Sequence, residues 1–384
     1  MRKPIGMAML CILAMSLTVK GQALIEDLTW DDAFSLPNRE GEQPHLGLAG
    51  PLVGMSNDAL LIGGGANFPN KLPWEGGAKK YYRDLYVYLR KASDGESSLH
   101  TMELPFALAY AASCTTPEGV VIAGGENEGG LSKGAYALTW LASEQHLDVV
   151  ELPDLPFAVT NAAMTCLDGT LYVAGGETDS GVSNKLWILD LNELEKGWIR
   201  HINLPYAVSH ANLIAKGGGL FLIGGRKSNV DRPSDFYQSV WYLDTLGDTW
   251  QQRAPLPEPL SAAAALAYGK DCIWVFGGDN GTTFSRVEEL LLLIKKTEDS
   301  ENNRILNQQK AALQAAHPGF SCQIWCYRVA TDTWEAKQPI PHEAPVTTTA
   351  TVWGDDVILP SGEIRAGIRS PRIWVGKPII KEKP

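Results

Sequence analysis

The hydrophobic and polar positions of this chain fall into short alternating or fully apolar runs of four to seven residues, separated by glycine and proline, with one longer helical stretch. One run recurs, an apolar strand ending in paired glycines. It appears as Leu60-Leu61-Ile62-Gly63-Gly64-Gly65, Val120-Val121-Ile122-Ala123-Gly124-Gly125 and Leu171-Tyr172-Val173-Ala174-Gly175-Gly176. It returns as Leu220-Phe221-Leu222-Ile223-Gly224-Gly225 and Ile273-Trp274-Val275-Phe276-Gly277-Gly278, and in degenerate form as Val357-Ile358-Leu359-Pro360-Ser361-Gly362. Four of the five steps between copies are about 50 to 60 residues and the last is about 84. A period near 50 predicts a propeller with one four-stranded blade per repeat.

The other strands of each repeat agree. A third strand follows the glycines, as in Leu85-Tyr86-Val87-Tyr88 and Leu186-Trp187-Ile188-Leu189. An outer strand then carries a tryptophan seven residues before a proline in Trp30/Pro37, Trp198/Pro205, Trp250/Pro257 and Trp334/Pro341. The ring fills the wedge between blades, and the proline ends the strand. The last repeat has three strands, around Thr347–Trp353, Asp356–Pro360 and Arg372–Val375, and lacks a fourth. The N-terminus carries an unpaired outer strand, Leu28–Leu36. Joining the two closes the ring and removes the open edges, which gives an all-β, six-bladed propeller. The long step holds residues Thr297–Ala316, rich in Glu, Asn, Gln, Lys, Ala and Leu, which read as a helical insertion ended by His317-Pro318-Gly319. It reads equally as a lid over a pocket and as a surface excursion.

Residues 1–23 have the pattern of a signal peptide. Arg2 and Lys3 precede the apolar run Ile5–Val19, and Gly21-Gln22-Ala23 offers small residues for cleavage. The run is short for a bilayer, so the expectation is a periplasmic or otherwise exported protein starting near Leu24, with residues 24–384 forming the propeller and no membrane anchor. Five cysteines then remain, an odd and sparse set that reads as buried free thiols. Cys322 and Cys326 read as two residues of one strand, about 13 Å apart and beyond disulfide reach. No His/Cys cluster has zinc spacing, so no metal and no organic cofactor is expected. The net charge of −11 argues against nucleic acid and anionic membrane as partners.

Aligning the repeats puts Ala66, Glu126, Glu177, Arg226, Asp279 and Glu363 at equivalent positions just after the glycines, a ring around the axis. Strand exits favour polar residues, and concave sites with convergent polar groups bind ligands, so the ring admits both explanations. The copy Gly362-Glu363-Ile364-Arg365-Ala366-Gly367-Ile368-Arg369-Ser370 gathers a carboxylate and two arginines within nine residues. Arginine suits a substrate carboxylate and glutamate suits a general base; a salt-bridged loop has the same composition.

The glycine pairs and spaced tryptophans resemble kelch repeats. The run Gly362–Ser370 resembles the G-E-x-x-x-G-x-R-[ST] segment of the bacterial N-acetylneuraminate epimerases, the sialic acid mutarotases. Gly47-Leu48-Ala49-Gly50, Gly54-Met55-Ser56-Asn57-Asp58 and Tyr82-Arg83-Asp84-Leu85 are similar to further segments of that family, as is the insertion in the blade before the Glu/Arg motif. The blade that follows the motif in the family stands at the N-terminus here, so the chain looks like a cyclically permuted branch. Ile364 and Ala366 depart from the small and proline residues usual between the glutamate and the second glycine. The resemblance implies conversion of the α-anomer of N-acetylneuraminate to the β-anomer, without cofactor. It implies Glu363 as the base and Arg369 as the clamp on the sugar carboxylate; Arg226, Glu126 and Glu177 join them as candidate substrate-binding residues. The competing expectation is a non-catalytic kelch propeller that binds a protein or glycan.

Overall fold

The computed structural model describes residues 25–39, 44–90 and 97–380. The signal-like residues 1–23 lie outside the described residues. Six antiparallel blades of four main strands follow in chain order, the first with a short fifth strand, Lys80–Tyr81, paired to its second. Blade I consists of Ala49–Ser56, Ala59–Asn67, Asp84–Arg90 and Ser97–Glu103, from innermost to outermost strand. Blade V consists of Ala264–Ala267, Cys272–Phe276, Ile324–Arg328 and Thr333–Lys337. Blade VI takes Thr351–Trp353, Asp356–Pro360 and Arg372–Ile380 from the C-terminus and its outer strand, Ile25–Ser35, from the N-terminus. The pairing runs from Ile25 opposite Ile380 to Ser35 opposite Arg372.

The core is divided among the blade interfaces. Six apolar clusters form, each shared by two adjacent blades, such as Leu36, Ile62, Tyr86, Ile358 and Ile373 between blades VI and I. The outer-strand tryptophans add a hydrogen bond to this packing. Indole N–H groups of Trp198, Trp250 and Trp334 donate to the carbonyls of Pro153, Asn203 and Ala254, each in the preceding blade, at 2.7, 3.1 and 2.9 Å. Trp30 instead packs edge-on against Phe276 of blade V at 5.8 Å.

The paired glycines have a steric cause. A Cβ on Gly64, Gly124, Gly175 or Gly224 would lie 2.1 to 2.5 Å from a backbone carbonyl oxygen of the next blade. The following glycine donates its N–H to that same carbonyl, as Gly176 does to Val208 at 2.8 Å. In blade VI the first glycine is Ser361, at φ 53°, and its hydroxyl oxygen accepts the N–H of Leu48 at 2.8 Å. Gly362 still donates its N–H to the Leu48 carbonyl at 2.8 Å, so the degenerate repeat keeps the common bond and adds a hydroxyl bond at the same blade contact.

Two expectations need correction. The insertion is a pair of helices, α1 (Thr282–Lys296) and α2 (Ser300–Ala315), where a single helix over Thr297–Ala316 was expected. Asp299 caps α2 by accepting the N–H groups of Glu301 and Asn302, whereas α1 starts at Gly281 without a side-chain cap or an acidic first turn, so its start left no signal. Cys322 precedes the strand Ile324–Arg328 instead of lying in it. The five described cysteines are free thiols.

The approach to blade I is held by a buried histidine. Nδ1 of His45 accepts the N–H of Gly47 at 2.8 Å, so its Nε2 bears the proton and faces the Tyr86 hydroxyl at 3.3 Å. Burial, with the Arg39 charge, lowers its pKa to about 3.

Two outcomes follow. Deleting residues 24–38 removes the outer strand of blade VI, so the protein should aggregate or melt at least ~10 °C lower; an unchanged melting temperature in a monomer would refute the closure. His45 is neutral in the fold and free to protonate when unfolded. Its contribution is therefore complete above pH 6.5 and is lost as pH falls toward 3, at up to about 1.4 kcal/mol per pH unit. Urea unfolding between pH 6.5 and 5 should show this loss, and a less steep one for His45→Asn.

Candidate functional site

Each blade contributes one residue in the left-handed region at the entry to its inner strand: Gly50, Tyr110, Asn161, His210, Ala262 and Thr347, with φ between 52° and 61°. Their backbones form a closed circle of hydrogen bonds. Tyr110 N–H donates to Gly50, Asn161 to Tyr110, His210 to Asn161, Ala262 to His210, Thr347 to Ala262 and Gly50 to Thr347, at 2.7 to 3.1 Å. On one side of the circle lies a narrow axial channel of about 140 Å³. On the other lies a cavity of about 420 Å³, within the range of small-molecule sites.

The residue before each circle member pairs with the residue after the glycines: Ala109 with Glu126, Thr160 with Glu177, Ser209 with Arg226, Ser261 with Asp279 and Val346 with Glu363. The aligned ionisable positions are thereby brought into one cavity wall, which holds Glu126, Glu177, Arg226, Asp279, Glu363 and Arg369. From four of these positions the chain continues as a short hairpin; in blade V it continues into α1 and α2. Thr283, Phe284 and Val287 of α1 and Gln314 of α2 line the cavity, so the insertion forms part of its wall. Glu288 ties α1 to blade IV by accepting the N–H and hydroxyl of Ser234, both at 2.7 Å.

Glu363 and Arg369 face each other across a two-stranded hairpin. Glu363 Oε1 accepts the N–H of Gly367 at 2.7 Å, and Oε2 lies 3.6 Å from Arg369 Nη2. Gly367, at φ 70°, could carry no Cβ without meeting Pro73 at 2.8 Å, which accounts for the second glycine of the motif. The Arg369 side chain is 4% exposed, and its Nε and Nη1 have no partner. Its guanidinium lies 4.7 Å over the Phe68 ring, and the Tyr110 hydroxyl is beside it. A buried guanidinium with unused N–H groups is an unfilled donor site for an anion.

The other ionisable groups are more fully engaged. Glu126 Oε1 accepts from Lys79 Nζ and the Tyr81 hydroxyl, both at 2.8 Å. Burial opposes the Lys79 charge, but Tyr110 and Glu126 outweigh it and raise its pKa, while burial and Glu126 push Tyr81 up to about 12. Glu177 accepts from Ser209 Oγ at 2.9 Å and Asn161 Nδ2 at 3.2 Å, with Arg226 Nη2 at 3.7 Å. Arg226 stacks on Phe284 at 4.2 Å, and its Nε is unpaired. His210 contacts Ser209 Oγ at 3.1 Å, and burial, with Arg226, holds it well below the ordinary histidine pKa. Burial raises the Asp279 carboxyl, although the Gly281 N–H, Arg226 and His317 pull the other way.

The repeat alignment missed Tyr110, Asn161, His210 and Thr347, as well as Lys79 and His317. The first three carried a signal, since each stands five residues after the proline that ends an outer strand.

A family model described as N-acetylneuraminate epimerase matches residues 152–382. An N-acetylneuraminate epimerase of Brucella melitensis is 28% identical over 253 residues, 63% of this chain and 62% of that protein. One from Vibrio cholerae is 34% identical over 229 residues, 58% of each chain. The chain thus spans about three-fifths of the length of the curated relatives it matches. A solved structure titled "Structure of YjhT" superposes with a TM-score of 0.61 at 15% identity, covering 89% of this chain and 99% of that one, which is a likeness of fold. Because the family model covers blades III to VI and includes the Glu363/Arg369 hairpin, the chain belongs to the N-acetylneuraminate epimerase family.

Proposed function

We propose that this protein interconverts the α and β anomers of N-acetylneuraminate. The observation that carries the proposal is the buried Arg369 with two unpaired nitrogens, Nε and Nη1, beside the Glu363 carboxylate, in a cavity of sugar size. Arg369 holds the sugar carboxylate, which is attached to the anomeric carbon, and so brings that carbon next to Glu363. Glu363 takes the proton of the anomeric hydroxyl, the ring opens, and rotation about the exposed carbonyl allows closure on the other face. The Gly367 N–H fixes the orientation of the carboxylate. Arg226, Glu126 and Glu177 line the wall and supply donors and acceptors for the amide and hydroxyl groups of the sugar. The signal-like segment 1–23 supports an exported enzyme. Blades I and II precede the span matched by the family model, which supports a permuted blade order.

Proton NMR of freshly released α-N-acetylneuraminate tests the proposal, reading the enzyme-dependent rate above the spontaneous one. Glu363→Gln should keep the fold and most binding while slowing conversion by about 10²-fold or more. Arg369→Lys should mainly weaken binding, because an ammonium cannot make the bidentate contact. If wild-type protein gives no acceleration, the chain is a binding propeller and the proposal fails.

A further inference from the structure

We propose that His317 donates the hydrogen bond to the sugar's ring oxygen as the ring opens, acting opposite Glu363. This inference rests on the mutarotase reading. It assigns the group that stabilises the charge developing on the ring oxygen, which neither the motif nor the repeat supplies.

His317 stands where the chain returns from α2 toward blade V. It is 8% exposed, lines the cavity and packs on Phe320 at 4.8 Å. Its Nδ1 accepts the N–H of Gly319 at 3.0 Å. A nitrogen that accepts carries no proton, so in the neutral ring the proton is on Nε2. No group among the described residues bonds Nε2, which leaves one oriented N–H available to a ligand. The charged groups that face the ring are the carboxylates of Asp279 and Glu363 and the guanidinium of Arg365. Burial outweighs the two carboxylates and keeps the imidazole neutral.

The charged donors of the cavity each face another group, although Arg226 keeps an unpaired Nε. Lys79 is held by Glu126, Arg226 by Glu177, and the Tyr110 hydroxyl sits beside Arg369 at the end assigned to the sugar carboxylate. With Arg369 assigned to the sugar carboxylate, His317 is a donor free for the ring oxygen whose ring faces Glu363. The step balances without a charged histidine. Glu363 removes the proton from the anomeric hydroxyl, and that O–H pair becomes the second bond of the new carbonyl. The bond between the anomeric carbon and the ring oxygen breaks, and its electron pair stays on the ring oxygen. The Nε2–H of His317 stabilises the negative charge developing there. The two oxygens share one carbon, so the protonated Glu363 carboxyl then returns its proton to the former ring oxygen. Closure on the opposite face runs the same steps backwards. A neutral imidazole used as an electrophile is an established type of catalytic group.

The test measures anomer exchange of N-acetylneuraminate for wild type, His317→Phe and His317→Gln, with kcat and KM separated and folding checked by melting temperature. His317→Phe keeps a ring against Phe320 but has no donor, and kcat should fall about 10²-fold with KM within about threefold of wild type, the scale of removing one such donor. His317→Gln restores an N–H and should recover to within about tenfold of wild type. The wild-type kcat should be flat from pH 7 to 8, since burial holds the imidazole below its ordinary pKa and leaves the donor neutral there. Wild-type kcat in a folded His317→Phe protein, a loss confined to KM, or equal losses in the two variants would each overturn the role. If His317→Phe does not fold, the pH profile decides: a tenfold fall per unit above pH 6.5 would mean an imidazolium donor and overturn the neutral one. Absence of acceleration by wild type would overturn the mutarotase reading itself, whereas acceleration that survives loss of His317 overturns this inference alone.

Discussion

The site depends on a circle of six backbone hydrogen bonds around the axis. Each member uses its N–H toward one neighbouring blade and its carbonyl toward the other. The geometry requires a left-handed backbone at every member, and five of the six are not glycine. Such a conformation costs an L-residue roughly 1–2 kcal/mol, so it persists only where the surroundings over-determine it. Here both bonding groups of every member are committed to neighbours, and relaxing one would break bonds in two blades. The circle also fixes what stands above it. The residue before each member bridges to the residue after the glycines, so the strained floor and the ring of ionisable side chains are set by the same strand entries. Small side chains at Gly50 and Ala262 and larger ones at Tyr110, Asn161 and His210 turn a pseudo-symmetric floor into an asymmetric one.

What could be read from the sequence was what the ring repeats for a chemical reason. The glycine pairs recur because each first glycine meets a carbonyl of the next blade, and a side chain there would collide with it. The tryptophan and proline spacing recurs because it fills and ends the outer edge of a wedge. The missing fourth strand and the unpaired N-terminal strand could be joined because an open edge needs a partner. The positions of Glu126, Glu177, Arg226, Asp279 and Glu363 followed from alignment alone. The circle itself was hidden because its requirement falls on the backbone and leaves the side chain free to vary from glycine to tyrosine. Lys79 sits in a loop with no counterpart in other blades. His317 read as the end of a helix, and its second identity depends on a bond to Gly319 that no pattern announces. The leucines of α1 lacked a cap to mark where the helix begins.

Charge alone does not explain how such a site takes an anion. The chain carries a net charge of −11, and the cavity wall places Glu126, Glu177, Asp279 and Glu363 against Lys79, Arg226 and Arg369. At physiological salt the surface charge is screened beyond about 8 Å, so the global field weakens approach without deciding the outcome inside. Hydrogen-bond accounting decides it. Lys79 is bonded to Glu126, and Arg226 faces Glu177 with its Nε alone unpaired, whereas Arg369, 3.6 Å from Glu363, leaves both Nε and Nη1 unsatisfied although its side chain is almost fully buried. An acceptor placed there removes a standing desolvation cost, and a ligand lacking one leaves that cost in place. On the proposed reading, selectivity for an acid comes chiefly from the missing partners of Arg369.

The helical excursion is at a blade from which it can complete the proposed chemistry. Blade V adjoins the Glu363 hairpin of blade VI, so the chain leaving Asp279 and returning at His317 passes over the wall beside Glu363. No residue of either helix is fully buried, so the pair adds little to the core, and its attachment is local. Phe284 lies between Arg226 and Phe236, and Glu288 is fixed to Ser234. A two-residue hairpin, as in blades II and III, would have left the cavity open to water on that side. Hydrogen bonds from Arg369 and His317 would then compete with bulk solvent, and their effect on a developing charge would shrink as the local dielectric rises. The rigid circle of the propeller sets where the acid/base groups stand, and the excursion lowers the polarity of the space in which they act.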